Sequence, residues 1–272
     1  MEGIDCATKL TTSTAQALNN VGILSVGRYL GRDSWKGLTL DEVNAIHVAG
    51  MSIFLIWELN PTKASYFSYD KGLSDAKQAV AEAEYLGAPS GVAIYFTVDY
   101  DAQSGDMASI LDYFHGVKDG LGGNYLMGVY GSYAVMQVVN ADRYFQTYAW
   151  SGVKQAPNHI YQYQNDVKLA GIAVDKDYVN EDAGLWKGKS DVLDAAVLLF
   201  TKEDYWAGAD VAAKNGNCAM FIRPADLSVP KDAMSAKKLI VVGGSTTGHP
   251  NEVLLSGKEK YDTAAAVEKY LG

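Results

Sequence analysis

Short apolar runs alternate with stretches of helical period along the first two thirds of the chain. Apolar runs bounded by turn residues read as buried strands, and apolar residues recurring at i, i+3 and i+4 read as helices. On that rule strands are expected at about 3–7, 25–30, 52–58, 92–99, 125–131, 145–150, 159–164 and 171–179. Helices fill the early gaps. Thr39-Leu-Asp-Glu42 has the form of a capping box and opens a helix that stops at Gly50. Ser74 opens another that Gly87 closes, and 106–119 and 132–143 carry the same period. The last gaps, 151–158 and 165–170, are too short for a full helix. Five βα units followed by three strands predict an α/β fold, a modified TIM-like barrel, with an open doubly wound sheet as the alternative.

This barrel is expected over 1–182. A polar, glycine-bearing break at 183–190 reads as a linker, and the pattern restarts over 191–272. There a strand is expected at 195–200, a helix at 203–214, strands at 218–223 and 239–242, and a terminal helix at 261–270. A second α/β domain of this size has a small core, so docking or oligomerisation is expected. Val241-Val-Gly-Gly-Ser-Thr-Thr-Gly248 lacks the Gly-Lys-Ser/Thr ending of a phosphate loop and reads as a tight turn.

Composition narrows the function. The net charge of −9 is uneven: residues 1–188 hold 13 basic and 21 acidic side chains, residues 189–272 hold 10 and 11. An acidic first part argues against nucleic acid as partner. No apolar run approaches the ~20 residues of a membrane span, so no membrane partner is expected. A strand follows Met1 almost at once, so no secretory leader is expected unless the native N-terminus is longer. Cys6 and Cys218 are too few for a disulfide scaffold, and Cys6 reads as a small core residue. His47, His115, His159 and His249 lack metal-ligand spacing, so neither metal nor cofactor is expected.

Candidate chemistry lies in acids at strand ends. Asp99 and Asp101 close the run that starts at Val92, and in a strand residues i and i+2 share a face. Asp5, Glu58, and the pair Asp175 and Asp177 end or border other runs. Barrels of this class keep their chemistry at the C-terminal ends of strands, and buried carboxylates are costly unless paired or used. Aromatics in comparable places, Tyr29, Trp57, Tyr130, Trp150, Tyr161 and Tyr163, are candidates for binding a substrate through their ring faces.

Gly3-Ile-Asp5, Arg28-Tyr-Leu30, Leu38-Thr-Leu-Asp-Glu42, Ile94-Tyr-Phe-Thr-Val-Asp-Tyr-Asp101, Gly128-Val-Tyr-Gly131 and Tyr148-Ala-Trp-Ser151 together resemble the glycoside hydrolase-like domain long labelled domain of unknown function 1906. That domain is similar to the family 25 lysozymes, and the likeness covers about residues 1–180, with Ile160-Tyr-Gln-Tyr163 and Val174-Asp-Lys-Asp177 in the late strands. The resemblance implies a muramidase that cuts the glycan strands of Gram-positive peptidoglycan. The family's Asp-x-Glu is here Asp99-Tyr100-Asp101, which sets the acid's carboxyl group ~1.5 Å nearer the backbone, a displacement that matters at a reacting centre.

On this reading Asp101 is the expected general acid, Asp99 supports it, and Asp5 and Asp177 complete an acidic cup, with Glu58 as the alternative acid. Val241-Val-Gly-Gly-Ser245 and Ser256-Gly-Lys-Glu-Lys-Tyr-Asp-Thr-Ala-Ala-Ala266 resemble cell wall binding repeat type 2. The likeness implies that the tail binds wall polymers, and its single copy, where the family has three, suggests a homotrimer. The whole reads as a phage endolysin made in the host cytoplasm, or as a secreted hydrolase. The alternative is a non-catalytic wall-carbohydrate-binding protein on a hydrolase-like barrel.

Overall fold

The computed structural model describes residues 1–188 and 193–272, which form two compact units, 1–188 and 189–272. In the first, β1 (Glu2–Asp5), β2 (Ser25–Tyr29), β3 (Ser52–Trp57), β4 (Ala93–Thr97), β5 (Leu126–Gly131), β6 (Arg143–Thr147), β7 (Ile160–Leu169) and β8 (Ile172–Val179) close into a barrel in sequential order. Helices α1 (Thr12–Asn20), α2 (Leu40–Val48), α3 (Tyr69–Leu86), α4 (Met107–Leu121) and α5 (Tyr133–Val138) follow the first five strands. This is the modified TIM-like barrel that the alternation predicts. Neighbours from β1 to β7 are parallel, but β8 runs antiparallel to both β7 and β1.

The reversal comes from a hairpin where a loop over 165–170 is expected. The strands continue to Leu169 and Ile172, joined by Ala170 and Gly171 with φ of 48° and 87°. Left-handed backbone at both central residues matches the right-handed twist of the flanking strands. The third helix also differs from expectation. It starts at Tyr69, capped by Ser68, and runs through Ser74. The turn-like Gly72 inside it serves packing: a Cβ there would lie 1.9 Å from the carbonyl oxygen of Tyr113 on α4. The fifth helix ends at Val138, short of the expected 143, because Val139 turns extended.

Two apolar layers hold this unit. One lies between strands and helices and includes Ile4, Val26, Ile53, Leu55, Ile94 and Val129. The other fills the barrel, with Phe54, Tyr95, Phe145, Ile160 and Val179. Buried Ala183 joins the inner layer and Trp186 the outer. Ile53 and Trp186 exchange backbone hydrogen bonds of 2.9 and 2.7 Å, and the Ala93 N–H donates to the Gly184 carbonyl at 2.8 Å. Residues 183–188, expected in the linker, therefore belong to the barrel. Residues 189 and 190 of the expected linker, and 191 and 192 of the expected second domain, lie outside the described residues.

The second unit has β9 (Ala196–Leu199), α6 (Tyr205–Lys214), β10 (Ala219–Ile222), α7 (Lys231–Met234), β11 (Leu239–Val242), β12 (Glu252–Leu255) and α8 (Lys260–Leu271). Its strands form a parallel sheet in the order β10-β9-β11-β12. Val197, Leu199, Ile240 and Val242 pack with α6 and α8, while Ala196, Leu198, Leu239 and Val241 pack with Ala233 and Ala236. Burial on both faces explains why these strands read as continuous apolar runs. The fourth strand, β12, escapes the sequence pattern because only its last residue, Leu255, is buried. No helix among the described residues is long and apolar enough to cross a membrane.

Candidate active site

Side chains alternate along a strand, so one parity of each strand faces the barrel axis. At the mouth that parity brings Asp5 from β1, Tyr29 from β2, Thr97 from β4, Tyr130 from β5 and Gln162 from β7 to one cleft. Glu58 and Asp99 continue the inward parity just past β3 and β4. Because β8 is reversed, it contributes through its early residue Asp175, directly opposite Asp5 in register. With Trp150 and Asn165 from loops, these groups line a cavity of about 230 Å³.

The acids are held in place. Gln162 donates from Nε2 to Asp5 Oδ2 at 2.8 Å and to Asp175 Oδ2 at 3.3 Å. The Tyr29 hydroxyl donates to Asp5 Oδ1 at 3.2 Å, and the Tyr130 hydroxyl donates to Gln162 Oε1 at 3.1 Å. Lys36 makes an ion pair with Glu58 and lies 3.9 Å from the centre of the Tyr29 ring. Behind Tyr29, fully buried Arg28 donates to Glu42 Oε1 at 2.7 Å and to the Lys36 carbonyl at 3.0 Å. Glu42 also accepts from the Leu10 N–H at 2.7 Å. The glutamate of the expected capping box therefore turns inward to tie the loops after β1 and β2 to α2.

Burial and mutual repulsion set the proton affinities. Burial, then the charge of Asp175, pushes Asp5 up to about 7 despite its two hydrogen bonds. Burial, then Glu58, pushes Asp99 up to about 6, with Lys36 acting against the rise. Burial also raises Asp175. Burial pushes the Cys6 thiol up to about 12, which leaves it a core residue rather than a nucleophile.

The expected site residues divide. Asp5, Glu58, Asp99, Tyr29, Tyr130 and Trp150 meet in the cleft. Trp150 sits at φ 55°, an uncommon conformation for an aromatic residue. Ser151 braces that turn, donating from Oγ to the Thr147 carbonyl at 2.6 Å. Asp101 does not join the cleft. The strand stops at Thr97, so the i, i+2 rule lapses, and Asp101 is exposed on the following loop. The inward pair of the motif is Thr97 and Asp99. Asp177 lies deeper in the barrel, opposite Gly3, fully buried and with neither oxygen hydrogen-bonded among the described residues. Burial and the charges of Asp5 and Asp175 push it well above the usual carboxylate range.

Parity also removes three of the aromatics. Trp57 points outward from β3 into the layer between barrel and helices. Tyr161 and Tyr163 flank the inward Gln162 and so face outward; Tyr163 stacks on Tyr178 at 4.3 Å and donates to Glu2 Oε2 at 2.8 Å. Thr97, Gln162 and Asn165 are polar cleft residues that the sequence reading does not single out, and Asp175, named there beside Asp177, takes the place at the mouth expected for Asp177. The signal for Thr97 and Gln162 is a polar residue on the inward parity of an apolar strand, legible for β7 once Ile160 is placed inside.

Residues 16–179 match the family model described as Rv2525c-like, glycoside hydrolase-like domain. The uncharacterized protein YbfG of Bacillus subtilis (strain 168) is 37% identical over 143 residues, 47% of this chain and 20% of YbfG. The uncharacterized protein FadG of the same organism is 31% identical over 145 residues, 50% of this chain and 25% of FadG. The match thus spans a quarter or less of these curated relatives. Among solved structures, the Tat-secreted protein Rv2525c of Mycobacterium tuberculosis, in complex with L-tartrate, shares the fold with a TM-score of 0.59 at 19% identity, over 68% of this chain and 98% of that chain. The family model covers more than half of the sequence, and the chain belongs to the Rv2525c-like, glycoside hydrolase-like domain family.

Proposed function

We propose that the barrel hydrolyses the glycan strands of Gram-positive peptidoglycan, as a muramidase-like, endolysin-type enzyme. The observation that carries this reading is the convergence of Asp5, Glu58, Asp99 and Asp175 in one cleft at the end of the barrel where such folds keep their chemistry. Glycoside cleavage needs an acid to protonate the leaving oxygen and a carboxylate to meet the oxocarbenium charge. Asp99, raised to about 6, is suited to the acid. Glu58, paired with Lys36, is the anionic partner. Asp5 and Asp175, bridged by Gln162, fix the floor of the cleft. Tyr29, Tyr130 and Trp150 offer ring faces and hydroxyls to a sugar. Asp101, outside the cleft, has no part in this scheme.

The second unit is proposed as the wall-targeting module. Residues 189–272 are nearly neutral, so an anionic wall polymer repels them less than it repels the acidic barrel. Incubation of the protein with purified walls tests both roles: release of new reducing sugar ends reports hydrolysis, and co-sedimentation of residues 189–272 reports targeting. A barrel that sediments with walls but releases no ends would instead be the non-catalytic carbohydrate binder.

A further inference from the structure

The surface continues beyond the cleft. A hollow of about 340 Å³ shares Glu58 with the cleft and runs past Trp35, Lys36, Asn60 and Thr62. Through Ser34 and Leu59 it shares walls with a further cavity of about 390 Å³, bounded by Trp57, Gln78 and Arg32. The three hollows are neighbours along a line that leaves the cleft past Glu58, and are referred to together as the trough.

Two features of the trough point to an occupant. Trp35 is 75% exposed, yet its loop is tied down. The Ser34 N–H donates to the Gly31 carbonyl at 2.9 Å, the Gly37 N–H to the Ser34 carbonyl at 3.0 Å, and the Leu38 N–H to the Tyr29 carbonyl at 2.8 Å. Gly37 permits this close turn, since a Cβ there would lie 2.1 Å from the Gly31 oxygen. The fold thus holds a bare indole face in a fixed place beside the cleft. At the far end Trp57, 3% exposed, contributes to the cavity wall, and its indole N–H has no hydrogen-bond partner among the described residues. A buried donor left unpaired is costly.

Along the trough Lys36 is paired with Glu58 and Arg32 with Glu82, while Asp33, on the wall of the far cavity, has no ion-pair partner among the described residues. What remains for a ligand is an aromatic face, the neutral polar groups of Ser34, Asn60, Thr62 and Gln78, and the Asp33 carboxylate. That set suits a neutral, amide-bearing sugar better than an anionic ligand.

We propose that the trough binds the continuation of an N-acetylated glycan chain whose reacting unit sits in the cleft, with Trp35 as a stacking platform and an acetamido carbonyl accepting from the Trp57 N–H. This rests on the glycan reading of the cleft. Trp35 and Trp57 then set a preference for long, acetylated chains.

Calorimetric titration of the full chain carrying Asp99→Asn, with the dimer and the pentamer of N-acetylglucosamine, tests the trough apart from turnover. The pentamer is expected to bind at least roughly tenfold tighter than the dimer. Adding Trp35→Ala should erase that gain and leave dimer affinity unchanged, and its exposure means the fold should not suffer. Trp57→Phe, which removes the N–H and keeps an aromatic ring, should erase part of the gain. The glucosamine pentamer, which lacks acetyl groups, should bind no better than the dimer. A pentamer that does not bind, binds no tighter than the dimer, or is indifferent to Trp35→Ala overturns the trough. Hydrolysis is read separately on the wild-type chain. A barrel that releases no reducing ends but binds the pentamer through Trp35 keeps the trough and loses the enzyme.

Discussion

Asp5 and Asp175 stand opposite each other in register across the antiparallel seam of β1 and β8. This seam closes the barrel, and it places two carboxylates side by side with the Gln162 amide donating to both. Repulsion across the seam is the second cause, after burial, of the raised affinity of Asp5 for its proton.

The seam makes stability depend on pH. Asp5 titrates at about 7 in the folded chain, against an ordinary value of 3.8. Between those values the folded state holds more protons than the unfolded state, so stability is greatest at the acid side and falls as pH rises from about 4 to about 7. The loss is on the order of a few kcal/mol. Asp5→Asn should therefore raise the melting temperature at pH 8 relative to wild type, with little gain at pH 4. Thermal unfolding followed across this range checks the sign.

Activity should also favour the acid side. A general acid must carry its proton, and Asp99 loses it near 6. kcat should fall as pH rises through that region, and this limb should vanish in the residual activity of Asp99→Asn. A rate that climbs steadily from pH 5 to pH 8 would remove Asp99 from the acid role.

The two aspartates of the motif should separate. Asp99→Asn is expected to lower the rate roughly 100-fold or more. Asp101→Asn is expected to leave it within about twofold, because an exposed side chain away from such features seldom matters. Release of reducing ends by the two variants measures this, and equal losses would return Asp101 to the site.

What the sequence hides here is where each strand ends and which way it runs. The period-two rule holds for Asp5, Tyr29 and Tyr130, and it places them in the cleft. It misleads at Asp101, because β4 has already ended at Thr97. For Asp177 the error is one of direction: the hairpin at Ala170-Gly171 reverses β8, so its first acid, not its second, reaches the mouth. Tyr161 and Tyr163 look like cleft aromatics until Ile160 fixes the parity of β7. The strand and helix count of the barrel and the acidic character of the site are legible, since they follow from local pattern. Register across the seam depends on contacts between the two ends of the chain, which no local pattern carries.

A further prediction concerns the support behind the cleft. Arg28 and Glu42 are both buried and paired. Glu42→Gln leaves the guanidinium without its carboxylate and should cost about 3–5 kcal/mol, as removal of one partner of a buried pair does. Urea denaturation of the barrel measures it, and a loss below about 1 kcal/mol would show that solvent reaches the pair.

The tail is proposed to assemble the protein as a homotrimer. Trp206, 80% exposed, and Tyr261, 72% exposed, offer it uncovered aromatic surface. Assembly would multiply weak wall contacts without new ones. Light scattering on the full chain and on residues 1–188 checks this; the full chain should be trimeric and the barrel monomeric, and a monomeric full chain at micromolar concentration contradicts it.

The most direct test of the central claim is the chemistry released from purified Gram-positive walls. The wild-type chain should generate new reducing sugar ends, Asp101→Asn should do so at nearly the wild-type rate, and Asp99→Asn should fall by roughly two orders of magnitude. No new reducing ends from the wild type, or new peptide ends in their place, would contradict a glycan-cleaving site built on Asp99 and Glu58.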